Sequence, residues 1–284
     1  MAAGKKVWDW EISAKTSYWD WSLPELWSYR YLLSSLVRRD FLLKYQQTIL
    51  GPLWILLLPI LTLITYVLVF GKLVGISTGE TPKVLFYFSG IVLWNLFSDS
   101  FTGTSNTFRE NARLFSKVYF PRIVMPAAVT SSHFLQFLIQ FALLLLLIGY
   151  YGIFQGYRPS FSLWVVGFPI AIVLVGVIGF SLGLLFSVLT AKYRDMVSLI
   201  NLGIRLFMFL TPVIYPLASV PDNLHWIVTL NPLTPLFELF RLGLLGEGVV
   251  TPANLIYSLL FAIIVALAAL LTFNKQGDKL IDVV

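Results

Sequence analysis

The chain has 284 residues, 58% hydrophobic and only 12% charged, with a formal net charge of +6 and a mean hydropathy of +0.82. A soluble domain carries about 25% charged residues, so an all-α polytopic membrane protein is predicted, and the positive balance reads as membrane orientation, not nucleic-acid affinity. The sequence contains no cysteine, which excludes disulfides, iron–sulfur clusters and thiol catalysis.

Residues 1–23 are read as a polar, Trp-rich cytosolic tail. No cleavable leader is recognised in Met1–Tyr29, so the first membrane helix is expected to serve as the targeting signal. Trp8–Trp21 reads either as an interfacial aromatic tail or as a docking strand. Ser22 and Glu25 have capping-box spacing, and Pro24 suits a first helical turn. They start an amphipathic interface helix over residues 24–50. Its core is the stretch VRRDFLLKYQQTILGPLW, Val37–Trp54. There Arg38, Arg39 and Lys44 hold the segment on the cytosolic side. Leu36, Val37, Phe41 and Leu43 give it an apolar stripe. Gly51-Pro52 then breaks the helix where the chain turns into the membrane.

Residues 51–274 are read as a six-helix transmembrane domain, since about 20 apolar residues cross a bilayer. The spans are expected near Pro52–Phe70, Val84–Phe101, Ile123–Tyr151, Leu163–Leu189, Met196–Tyr215 and Leu255–Phe273. With the N-terminus inside, fifteen of the 20 Lys and Arg fall in cytosolic segments, which places both termini in the cytosol. Between the second and third spans, 107–120 is expected to form a short amphipathic helix. Phe108, Ala112 and Phe115 line one side, opposite Arg109, Arg113 and Lys117. This helix suits either a groove in a cytosolic partner or the lipid surface. After the fifth span, 218–250 contains an apolar stretch too short to cross and interrupted by Pro and Gly, which fits an external re-entrant helical hairpin. Residues 275–284 form a cytosolic tail.

Polar residues within spans are expensive and face the bundle or a cavity. Asn95 and Asp99 share one helix face, as do Asn201 and Arg205, while His133, Gln136 and Gln140 form another. Asp99 and Arg205 lie at similar depth, and a mutual neutralisation, within or between subunits, is expected. Trp54, Trp94, Tyr215 and Trp226 fall near predicted span ends, where they read as an aromatic belt or as flat faces for sugar rings. Catalysis is poorly supported. His133 and His225 lie far apart with no metal-spaced carboxylates, and there is no GxxxxGK[ST] phosphate loop.

Five motifs occur in order: VRRDFLLKYQQTILGPLW, KVYFPR (Lys117–Arg122), KYRD (Lys192–Asp195), LTPVIYP (Leu210–Pro216) and LNPLTPLFELFR (Leu230–Arg241). Together, across residues 24 to 274, they resemble the membrane permease subunit of ABC exporters for polysaccharides and polyol phosphates such as O-antigen, capsule and teichoic acid. The resemblance implies a homodimeric half-transporter in the bacterial inner membrane. Two copies of a separate nucleotide-binding ATPase would bind ATP and Mg, leaving no cofactor in this chain. The substrate would be a glycan on an undecaprenyl-type lipid, surrounded by membrane lipids. By the same resemblance Arg38, Arg39, Phe108, Arg109, Glu110, Arg113, Phe115, Lys117, Arg194 and Asp195 couple to the ATPase. Trp54, Asn95, Asp99, His133, Asn201 and Arg205 are candidates for the pathway. Tyr215, Pro216, Trp226, Asn231, Pro232, Glu238 and Arg241 belong to the external gate. Alternatives are a like permease for teichoic acid, a drug or a free lipid, a polytopic glycosyl or acyl transferase, and a passive channel.

Overall fold

The computed structural model describes residues 27–115, 120–159 and 163–280. The Trp-rich tail, the Ser22–Glu25 capping pattern and Lys117 lie outside them. The described residues are helical, without strands. Helix α1 (Arg30–Tyr45) lies across one end of a bundle. Two left-handed residues, Gln47 and Gly51, turn the chain out of it, and a short 3₁₀ turn at Gly51–Leu53 leads into α2 (Trp54–Tyr66), extended by a π-helical segment, Val67–Leu73. Then follow α3 (Lys83–Glu110), α4 (Ala112–Phe115), α5 (Val124–Phe154), α6 (Gly167–Lys192), α7 (Met196–Leu210), α8 (Asp222–Leu230), α9 (Thr234–Leu245) and α10 (Pro252–Leu280).

Five of these stretches are long and apolar enough to cross a membrane: Gly51–Leu73, Lys83–Glu110, Val124–Phe154, Trp164–Lys192 and Pro252–Lys275. The least apolar of them, α3, is the central mast. Its most apolar window is 72% buried, against 17% for those of the first and third spans. α3 packs chiefly on α6 and α5, and α6 also packs on α10. The outer faces of α2, α5 and α10 keep large apolar side chains such as Leu58, Leu146 and Ile264 exposed, as lipid contact requires.

Three boundaries differ from expectation. α3 continues nine residues past Phe101, through a Ser/Thr-rich stretch that reads as polar loop. Within the bundle those hydroxyls bond back to the preceding turn: Thr102 to Ser98 O, Ser105 to Thr102 O and Thr107 to Gly103 O, so the helix stays intact. α7 stops at Leu210. Its 15 residues rise only about 22 Å, short of the roughly 30 Å hydrocarbon core. Residues 211–216 continue as irregular chain, and Thr211–Ile214 are buried, which non-helical backbone at membrane depth needs. α10 runs to Leu280, so most of the expected C-terminal tail is helix.

Candidate functional site

α1 carries the basic residues to the end of the bundle formed by the last turn of α3 and the first turns of α5. Leu36 inserts into an apolar cluster with Phe120, Val124, Met125 and Ala128. Polar bonds fix the register: Arg39 Nη2 donates to Asn111 Oδ1 (3.2 Å), and Lys44 Nζ donates to Gln136 Oε1 (3.0 Å). Arg39 also pairs with its neighbour Asp40 at 2.7 Å, a partly exposed contact worth about 0–1 kcal/mol. Between α1, α3 and α5 opens a cleft of about 690 Å³ lined by Arg39, Lys44, Glu110, Asn111, His133 and Gln136, among others.

The expected 107–120 helix is divided. Residues 107–110 complete α3, Asn111 interrupts, and α4 is a single turn. Phe108 is buried, with Phe115 stacked on it at 5.1 Å and Phe273 at 5.6 Å, and Phe115 in turn stacks on Phe120 at 5.5 Å. Phe108 therefore packs inside this chain, and Phe115 is partly buried against it. Phe115 also touches the α1 cluster, which joins α1 to the ends of α3, α6 and α10. Arg38, Arg109, Glu110, Arg194 and Asp195 are exposed at this same end. Arg113 sits in α4. Phe115→Ala is expected to lower thermal stability by about 1–2 kcal/mol, with Phe115→Leu recovering most of it. Equal melting of the alanine variant and the parent in detergent would remove the joint.

Deeper in the bundle a polar seam runs between α3 and α5. Asn95 Nδ2 donates to Gln140 Oε1 (3.1 Å), and Gln140 Nε2 donates to Ile55 O (3.3 Å). Such satisfaction is what allows amides at this depth. His133 lies against Gly103, where an added Cβ would come within 2.5 Å of Nε2. Asp99 lies within electrostatic reach of Lys44 and Tyr45. Burial, and secondarily the Asp99 carboxylate, raises the Tyr45 phenol above its ordinary pKa.

The expected Asp99–Arg205 pair does not form within the chain. α7 buries Ile200 and Ile204 against the core and leaves Asn201 and Arg205 exposed, so Arg205 points away from Asp99's surroundings. Trp54 opens α2 and is partly exposed, but Trp94 is a core residue packed on Phe97 and Phe207.

At the opposite end α8 is followed, after Asn231–Leu233, by α9. α9 is buried along nearly its whole length, whereas α8 exposes Leu224, Trp226 and Leu230. Asn231 Nδ2 bonds Leu210 O (3.2 Å) and Thr211 Oγ1 (2.8 Å), and its Oδ1 accepts from Leu233 N. Pro232 O accepts from Ser258 of α10, and Tyr215 Oη donates to Phe209 O. Pro216 leads into a 3₁₀ turn at Leu217–Ser219. Arg241, which the resemblance assigns to the external gate, is buried: Nη2 donates to Val213 O at 2.8 Å, Nη1 lies 3.6 Å from Glu238 Oε1, and the guanidinium sits 3.9 Å from the Phe86 ring centre. No group of His, Asp and Glu among the described residues is placed to hold a metal.

The family described as "ABC-2 type transporter" matches residues 31–245. The chain is 29% identical over 257 residues to an O-antigen export system permease protein RfbA of Klebsiella pneumoniae, covering 89% of this chain and 94% of that one. It is 30% identical over 219 residues to the protein of the same name from Myxococcus xanthus, covering 76% and 81%.

Proposed function

The chain belongs to the ABC-2 type transporter family, and from that premise we propose that it is the transmembrane subunit of an ATP-driven exporter moving a lipid-linked, O-antigen-like glycan across the bacterial inner membrane. The observation that carries this reading is the likeness to O-antigen export permeases over nearly the full length of both chains. In it, ATP and Mg belong to a separate nucleotide-binding subunit, two copies of which serve two copies of this chain. Both termini, α1, α4 and the Lys192–Asp195 turn lie in the cytosol, in keeping with the excess of Lys and Arg there. The α8–α9 hairpin faces outward as the gate, and α7 with the segment after it completes a sixth, broken crossing.

The physical basis is a lever. Closure of the ATPase pair pushes on the exposed charges of α1, the end of α3 and the 192–195 turn. The cross-helix bonds of Arg39 and Lys44 and the Phe108–Phe115–Phe120 stack pass that displacement to α3, α5 and α6, and the outer hairpin responds at the far end of α3. Lipid-linked glycan then moves between the two copies, head group first.

Deleting this chain should abolish surface O-antigen and leave lipid-linked glycan inside. Truncating Ala2–Gln46 should prevent recovery of the ATPase with the permease. Normal surface glycan in the deletion strain would refute the transport reading, and full ATPase recovery with the truncated chain would refute the lever.

A further inference from the structure

Arg205 is the one cation in the interior of a predicted span, and α7 displays it outward. The helix starts at Met196, just after the exposed Lys192, Arg194 and Asp195, so Arg205 lies about 14 Å further along at 1.5 Å per residue. That is near the middle of a hydrocarbon core roughly 30 Å thick, where an unneutralised guanidinium is costly. Arg205 has no ion-pair or hydrogen-bond partner among the described residues. The orientation is fixed by packing: Ile200, Ile204 and Phe207 turn inward, leaving Asn201, Leu202, Arg205, Leu206 and Phe209 on the exposed side.

Of the 14 acidic residues, Asp99 is the one that lies in the interior of a candidate span, and it lies within electrostatic reach of Lys44 and Tyr45. A mobile anion can supply the negative charge that Arg205 lacks within its own chain. The flanking surface is apolar, with Leu202, Leu206 and Phe209 all more than half exposed, and the Asn201 amide lies one turn nearer the start of the helix. This combination suits a phosphate group joined to an isoprenoid chain.

Resting on the export reading above, we propose that Asn201 and Arg205 form a mid-membrane way-station that binds the phosphate of the lipid carrier during passage, while Leu202, Leu206 and Phe209 contact its isoprenoid tail. The guanidinium replaces part of the hydration the phosphate loses between the two surfaces, lowering the barrier at the point where water is scarcest.

The cysteine-free sequence gives a direct test in the intact permease–ATPase complex. Arg205→Cys should lower surface glycan at least about tenfold, as loss of a charge-assisted contact worth more than 1.4 kcal/mol requires. A water-soluble thiosulfonate carrying a trimethylammonium group should restore export by returning a positive charge. A sulfonate-bearing reagent should not. A second variant, Leu202→Cys, keeps Arg205 and tests the same face if the first fails to assemble. Its labelling by the cationic reagent should be slowed by a polyprenyl diphosphate, but not by the matching polyprenol or by inorganic diphosphate. Wild-type export by Arg205→Cys, rescue by the anionic reagent, or no labelling of Leu202→Cys would overturn the site. Protection of Leu202→Cys by inorganic diphosphate alone would overturn its assignment to the lipid carrier. These outcomes are separate from normal surface glycan in the deletion strain, which would sink the export reading itself.

Discussion

Replacing Arg241 with methionine is expected to cost about 3–5 kcal/mol, the usual penalty for removing one partner of a buried ion pair. Arg241 and Glu238 are both nearly inaccessible, one turn apart on α9. The guanidinium ties that helix to Val213 O in the irregular segment after α7 and to the Phe86 ring on α3. Glu238 Oε2 meanwhile accepts from Val249 N beyond the helix. Arg241→Met therefore leaves a carboxylate buried without its counter-charge and frees the Val213 carbonyl. Thermal unfolding of the purified complex measures the loss. The double variant with Glu238→Met should lose less than the two single variants added together, because it removes the stranded charge. A melting point for Arg241→Met unchanged from the parent would rule out the pair as the anchor of α9.

That anchor shows where the sequence was legible and where it was not. Apolar run length located most spans, because lipid demands it of any helix that faces it. The same rule misjudged α3 and α7, for opposite reasons. α3 is shielded from lipid, so its hydroxyl-rich end remains helical with side chains bonded to the previous turn. α7 is apolar as far as Tyr215, yet its helix ends at Leu210, because Pro212 pushes Thr211 into an extended conformation, and Asn231 and Arg241 donate to the freed Leu210 and Val213 carbonyls. Those donors come from residues more than twenty positions away, which no local pattern reveals. The same blindness paired Asp99 with Arg205. Depth along a helix can be counted from sequence, but the azimuth that separates them depends on which edge of α7 the core accepts. Phe108 and Phe115 were correctly placed on one apolar side. What that side meets, Phe273 and Phe120, is tertiary.

One signal was present and unused: Gly179 and Gly183 stand four apart on α6, the spacing that lets membrane helices approach closely. α3 and α6 form the principal helix contact of the bundle. A Cβ on Gly183 would come 2.5 Å from Thr104 Cβ and 2.9 Å from Phe101 O. One on Gly179 would come 2.9 Å from Phe97 O, whereas one on Gly176, on the same helix, meets nothing within 4 Å. Gly183→Val is thus expected to force the helices apart and cost about 3 kcal/mol, at the upper end of overpacking losses. Gly176→Ala should be close to neutral or slightly stabilising, since alanine favours the helix. In the absence of a hydrophobic drive between helices in lipid, it is this close contact that holds them. From the Phe86 contact with Arg241 to Phe108 near its other end, α3 runs about 33 Å at 1.5 Å per residue. A separation at Gly183 lies on that route. Gly183→Val is accordingly expected to reduce export by more than it reduces ATP hydrolysis by the assembled complex, a ratio that Gly176→Ala leaves unchanged. If the two activities fall together in Gly183→Val, the α3–α6 contact supports the fold without transmitting the stroke.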